Sequence, residues 1–333
     1  MSHYNHLTPE EREKILILYM QKHSISSIAK QINRNKSTVS RELSRNAING
    51  VYSAVNAQVA YEKRRINCRP VKKLTNTRTY DYVKEKFLKH QWSPEQISGR
   101  MKYEATNHFM SYSTIYRGIY AGMFDTKKQQ NSKGNRGAIR KLRHRGKSRH
   151  TKDYVEKRGK IPISNPIADR PDEANHRLRL GDWEADTIIG AKGKDRACLV
   201  TLADRKSRFL IVGKASAKKA TPVGNVMINA LKEQPCHSIT PDRGKEFASH
   251  STVSAALDGV EFYFPLPYHP WQRGTNENTN GLLREYFPKG LDLTDLSDES
   301  IQDKVNALNK RPRKCLGYRT PYEVYYSTAL HLT

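Results

Sequence analysis

The 333-residue chain has no apolar run near the ~20 residues that a membrane-spanning helix needs, so no integral membrane protein is expected. Cysteine is scarce: Cys68, Cys198, Cys236 and Cys315 lie far apart, with no Cys-x-x-Cys pair. That argues against a disulfide scaffold and a cysteine zinc site, and fits a reducing cytoplasm. The 12 histidines form no His-x-x-x-His pair placed for zinc. The opening segment MSHYNHLTPEEREKILILYM lacks a basic flank followed by an apolar core, so no secretory leader is expected. Acid is short beside base, 33 Asp/Glu against 59 Lys/Arg, a formal net charge of +26. Such a surplus repels itself and seeks a polyanion, nucleic acid or an anionic membrane surface.

What is present is unevenly placed. Residues 1–170 carry 36 Lys/Arg and 13 Asp/Glu, whereas residues 171–333 carry 23 and 20. The front half therefore holds the polyanion-binding charge and the rear half is nearly neutral, as a binding half and a working half would be. At this length two or three domains are expected. The densest basic stretch, 127–160, has 14 Lys/Arg, Lys141, Arg143 and Arg145 among them, against Asp153 and Glu156. Its sparse aliphatic content reads as a basic linker, either simply solvated or folding on phosphate backbone.

The front begins with helix signals. Thr8-Pro9-Glu10-Glu11 is a capping box with proline at the first helical position. Ile25, Ile28, Ala29 and Ile32 recur at helical spacing. Asn33-Arg34-Asn35 makes a short polar turn. The helix Lys36–Leu43 then turns Val39 and Leu43 inward and Lys36, Ser37, Thr38 and Arg41 outward. Small hydroxyls and basic forks on the outer face are what a recognition helix needs in a major groove. An ordinary three-helix bundle is the bland alternative; the basic composition favours DNA. The pattern recurs at Ser93-Pro94-Glu95-Gln96, another capping box, and at Ser113-Thr114-Ile115-Tyr116-Arg117, which echoes Ser37–Arg41. Ser113, Thr114 and Arg117 are the outward residues of a second reader. Two readers on one chain multiply affinity through effective concentration. The expected division is a helix-turn-helix domain over 1–65, a second over 66–125, a basic linker over 126–172 and a mixed-sheet α/β domain over 173–333.

In that last part, GDWEADTIIG, ACLVTLAD and RFLIVGKA read as three antiparallel strands. Alternating helices and strands follow. Asp186 falls in the first strand, Asp242 directly after the fourth, and Glu277 at the start of the last helix. If the first and fourth strands are neighbours, their acids converge. Three converging carboxylates repel and call for hard cations, Mg²⁺ or Mn²⁺. Two such ions at one site would activate an attacking hydroxyl and stabilise the leaving oxygen in an in-line phosphoryl transfer. Arg284 shares a helical face with Glu277 and would touch phosphate. Asp182 and Glu184 lie on the same strand face as Asp186, so spacing alone does not choose among the three. Trp183 alternates away and is expected in the core. Core packing is also the expectation for Trp271, with base stacking the alternative; Asn276, Asn278 and Asn280 either contact DNA or cap the helix, and capping is at least as strong an expectation for Asn276.

LTPEEREKI, IAKQINRNKSTVSREL, GDWEADTIIG, TPDRGKEFA and PYHPWQRGTNENTNGLLREYFPKG together resemble the insertion-sequence-thirty family of DDE transposases. The resemblance spans essentially the whole chain and implies a ribonuclease-H-like catalytic domain behind all-α helix-turn-helix domains. It carries Asp186, Asp242 and Glu277 over as a metal-binding acidic triad and Arg284 as the basic partner. It also implies binding of double-stranded DNA at the terminal inverted repeats of a mobile element. Strand cleavage would be followed by attack of the freed 3′-hydroxyl on target DNA, in a homodimer or larger assembly on the nucleoid. Two places depart from the commoner pattern. Asp182 stands where histidine is usual, and Pro241-Asp242-Arg243-Gly244 where Ser-Asp-Asn-Gly is usual. Arg243 either tunes metal affinity or contacts phosphate. Two other functions stay open: a DNA-binding repressor whose rear domain is inactive, and a structure-specific nuclease.

Overall fold

The computed structural model describes residues 5–48, 50–68, 73–126, 137–142, 162–191, 197–267 and 269–333. Arg143 and Arg145 lie outside them. The chain forms two compact units, 1–72 and 73–333.

The first unit opens with α1 (Pro9–Met20), α2 (Ile25–Gln31) and α3 (Lys36–Asn46). Thr8 and Glu11 cap α1 reciprocally, as the sequence signals. Asn33 takes the left-handed conformation in the turn, with φ 53°, and Asn35 caps α3 through the Ser37 N–H. A short hairpin follows, β1 (Ala47–Ile48) against β2 (Val51–Tyr52), and then α4 (Ala54–Asn67). Ile15, Ile28, Val39, Leu43 and Tyr52 pack in its core. The buried Arg12 ties the unit together. It donates to Glu42 at 2.9 Å, to the Leu7 carbonyl at 2.7 Å and to Gln58 at 2.6 Å.

The second unit begins with α5 (Thr77–Leu88), α6 (Pro94–Tyr103) and α7 (Tyr112–Tyr120) around Val83, Phe87, Ile97, Met101, Ile115 and Ile119. Next come β3 (Asn165–Pro166), the short α8 (Asp172–Asn175), β4 (Asp182–Ile189), β5 (Cys198–Asp204) and β6 (Leu210–Ala215). The chain continues through α9 (Ala220–Leu231), β7 (Ser238–Thr240), α10 (His250–Ala256), β8 (Glu261–Phe264) and α11 (Gly274–Leu283). It closes with α12 (Asp298–Asn309) and α13 (Pro321–Tyr326).

Six strands form one mixed sheet in the order β3-β8-β7-β4-β5-β6. β4, β5 and β6 are an antiparallel meander, and β7 and β8 join parallel on the β4 side. A three-strand meander extended by two parallel crossover strands is the ribonuclease-H-like arrangement. Odd residues of β4, Trp183 and Ala185, face a core shared with Val223, Met227 and Val253 of α9 and α10. On the other side Ile188, Leu199 and Val212 pack against Leu282 and Leu283 of α11 and Val305 of α12.

Domain boundaries expected near 125 and 172 do not divide compact units. The Arg100 side chain of α6 is fully buried and donates to Glu323 of α13 at 2.6 and 2.8 Å and to the Tyr318 carbonyl at 3.1 Å. Burying a guanidinium demands such partners, and here they bolt the second helical segment to the C-terminus. Two stretches of the expected linker also take part in the packing. Ala138 is buried among the α5–α7 side chains, and Asn165–Pro166 adds the edge strand β3 beside β8.

Candidate active site and DNA-reading helices

β4 sets the floor of the site. It pairs in parallel with β7, with Glu184 opposite Thr240, so the acid two residues beyond each meets the other at one end of the sheet. The three acids on the even face of β4 have different surroundings. Asp182 is fully buried and accepts from Arg179 at 3.0 Å and from Ser238 Oγ at 2.7 Å. Glu184 is fully buried, ion-paired with Arg205, and accepts from the Asn276 N–H at 2.8 Å. Asp186 alone remains half-exposed, accepting from the Thr187 N–H at 2.8 Å and from Asn280 Nδ2 at 3.0 Å. The tertiary partners thus make the choice that strand spacing leaves open.

Burial holds the Asp186 carboxyl above its ordinary value, against the pull of Arg273, 3.8 Å away. Asp242 is pushed up to about 6, first by burial and then by the charge of Asp186. A carboxyl pushed up by a neighbouring carboxylate marks a site short of positive charge. Glu246 adds to the deficit. It is buried, paired with Lys218 at 2.8 Å, and accepts from Thr187 Oγ1 at 2.9 Å. Gly244 lets the two acids crowd together: a Cβ there would strike both the Glu246 and the Asp242 carboxylates.

Glu277 sits exposed in the first turn of α11, one turn before Asn280. Among the described residues no three His, Cys, Asp or Glu side chains are gathered closely enough to hold a metal ion. The structure therefore joins Asp186 to Asp242 and leaves Glu277 on the adjoining helix turn. Hard oxygen donors with excess negative charge suit a divalent cation. Asn280 Oδ1, buried without a hydrogen-bond partner beside Asp186, is a further acceptor that a hydrated ion would satisfy.

A family model described as a helix-turn-helix domain matches residues 3–46. The transposase for insertion sequence element IS4351 of Bacteroides fragilis is 38% identical over 326 residues, covering 96% of this chain and 95% of that protein. The transposase for IS1086 of Cupriavidus metallidurans is 38% identical over 328 residues, covering 96% and 94%. Transposase InsI for IS30A of Escherichia coli is 37% identical over 329 residues, covering 96% and 83%. The chain belongs to the IS30 family of transposases. Superposition on the catalytic core domain of BIV integrase covers 44% of this transposase and 93% of that chain, with a TM-score of 0.35 and 19% identity, too slight to add to the topology.

The residues expected to read DNA have these placements. On α3, Lys36, Ser37 and Arg41 are exposed and Thr38 is half-buried, while Val39 and Leu43 are buried. The Ser37 hydroxyl donates to Asn35 at 2.8 Å and so helps to cap the helix. On α7, Ser113 and Arg117 are exposed and Thr114 is half-buried, with Thr114 Oγ1 2.9 Å from Ser111 Oγ. Lys141 is exposed.

Several expectations change. Arg284 is the C-cap of α11, and its guanidinium donates to the Ile189 carbonyl at 2.8 Å and the Phe287 carbonyl at 3.4 Å. Those bonds tie α11 to the end of β4. Arg243 donates to the Pro265 carbonyl at 2.7 Å. Asn276 lies inside α11, fully buried, and caps nothing. Trp183 is in the core as expected, but Trp271 is 68% exposed beside His269. The residues that sequence reasoning passed over are Lys218, Glu246 and Arg273. Glu246 and Arg273 stood inside the quoted motifs, but a motif does not tell which member meets which.

Proposed function

We propose that this transposase binds the terminal inverted repeats of its insertion sequence through α3 and α7. It then cuts and joins DNA ends at Asp186, Asp242 and Glu277. The observation that carries the reading is the pairing of Asp186 and Asp242 at one sheet end, where burial raises both carboxyls and the charge of Asp186 raises Asp242 further. Asp186 and Asp242, joined by Glu277 from the first turn of α11, would hold Mg²⁺ or Mn²⁺. Bound there, the ions supply Lewis-acid stabilisation of the attacking and leaving oxygens. Asn280 fixes the rotamer of Asp186 through its amide hydrogen bond. Arg273 and Lys218 hold the acid cluster together before cation and DNA arrive. Water attacks the scissile phosphodiester first and leaves a 3′-hydroxyl, and that hydroxyl attacks target DNA next. No protein nucleophile is required. Bringing two element ends together calls for at least two copies of the chain.

The test uses element-end DNA cloned from the sequence flanking the gene. With Mg²⁺, wild type is expected to nick the end, and Asp242→Asn to lose at least two orders of magnitude in rate. Equal nicking by both would remove Asp242 from the mechanism. Specific binding without any nicking by wild type would leave the repressor reading in its place.

A further inference from the structure

The second unit contains a cleft of about 660 Å³ that none of the chemistry above uses. Its walls include Tyr116 and Tyr120 of α7, Lys141, Asn278 of α11, and Arg311 and Lys314 beyond α12. We infer that this cleft takes unpaired nucleotides of the DNA strand leaving the active site, with Tyr120 as the stacking face and Lys141 and Lys314 as phosphate contacts. The inference rests on the transposase reading for the identity of its ligand.

Three observations carry it. First, α11 is a wall common to both sites. Asn280 bonds to Asp186 on one face, while Asn278 and Leu282 line the cleft on another. A strand crossing α11 from the carboxylates arrives in the cleft. Second, the lining has the chemistry of a single-strand platform, aromatic faces interleaved with cations. Tyr116 and Tyr120 lie one helical turn apart with ring centroids 6.3 Å apart and planes within 19° of parallel. Tyr120 is 64% exposed, so its ring is open to a base. Lys141 is exposed and forms no ion pair among the described residues. Lys314 reaches Glu95 at 2.6 Å, an exposed pair that phosphate can exchange into at little cost. Third, the size suits unpaired nucleotides. A space of this volume encloses a small-molecule-sized group, about one or two nucleotides.

The experiment is a binding titration of the full-length chain in chelator, so that no cutting intervenes. The probes are a duplex ending in a short oligo-thymidine overhang with one 2-aminopurine, and the same duplex blunt-ended. Wild type is expected to prefer the overhang and to quench its 2-aminopurine. Tyr120→Ala should weaken overhang binding by about 5- to 150-fold and abolish the quench, leaving blunt-duplex binding unchanged. Tyr120→Trp should keep both. Lys141→Gln should lower the salt slope for the overhang by about one. Equal wild-type affinity for both probes would overturn the inference, as would a preference and quench that survive Tyr120→Ala. Either result leaves the nicking test untouched, and a chain that fails to nick can still pass here, so the two failures are distinguishable.

Discussion

Glu184 and Asp186 stand two residues apart on one strand face, yet the structure gives them opposite tasks. Glu184 neutralises the buried Arg205 and anchors the first turn of α11. Glu184→Ala would strand a buried guanidinium and should cost about 3–5 kcal/mol of stability, read by urea unfolding. Asp186 instead lies beside a second carboxylate, with Arg273 3.8 Å away. Asp186→Asn should raise the melting temperature in chelator and eliminate nicking. Added Mg²⁺ should raise the melting temperature of wild type and leave that of Asp186→Asn nearly unchanged. A Mg²⁺ response equal in both would remove Asp186 from the cation site.

At the scale of the element, α3 and α11 show how a helix serves two faces. α3 buries Val39, Glu42 and Leu43 and leaves Lys36 and Arg41 outward. If Arg41 reads a base edge, Arg41→Ala should lower specific binding by about 1–3 kcal/mol. Non-specific binding should fall far less. An unchanged ratio of specific to non-specific affinity, measured at one salt concentration, would move Arg41 to the phosphate contacts. The inner face is equally constrained, because Glu42 accepts from both Arg12 and Tyr52. α11 divides its duties similarly: Leu282 and Leu283 fill the core while Asn280 meets the Asp186 carboxylate.

Across the whole molecule, the decisive joint is the C-terminal segment on α6. Arg100 holds Glu323, and Gly99 lets the Tyr318 ring lie where a Cβ would strike it. Gly99→Val should therefore lower stability by about 1–3 kcal/mol, seen as a lower melting temperature. Burial alone would raise the Glu323 carboxyl. Hydrogen bonds from Arg100 and from the Thr320 and Leu330 N–H groups outweigh it and bring the value down to about 2. A depressed value stabilises the fold above the unfolded carboxyl's ordinary range and loses that contribution as pH falls from about 4.5 toward 2. Glu323→Gln should thus be less stable than wild type by about 3 kcal/mol at neutral pH. In urea titrations the gap should close in acid. A gap independent of pH would show that the Glu323 charge is not what matters. This joint fixes α6, and α7 packed beside it, in the same compact unit as β4, so if Arg117 reads DNA as proposed, that DNA would be held at a set distance from Asp186.

Local patterns alone determined a good deal. The capping boxes at Thr8 and Ser93, the inward Val39 and Leu43, and the three-strand meander depend on neighbours a few residues away, so the sequence displays them directly. The long motifs were enough to mark the family. What only the tertiary structure decided were matters of partnership. Spacing could not separate Asp182 and Glu184 from Asp186, because what separates them is Arg179, Ser238, Arg205 and Asn276 arriving from elsewhere. Nor could it foresee that Arg284 would spend its guanidinium on the Ile189 and Phe287 carbonyls, or that Arg100 would seek a carboxylate more than two hundred residues away. A buried charge takes its partner from whatever the fold brings within reach, and that reach is set by packing rather than by order along the chain.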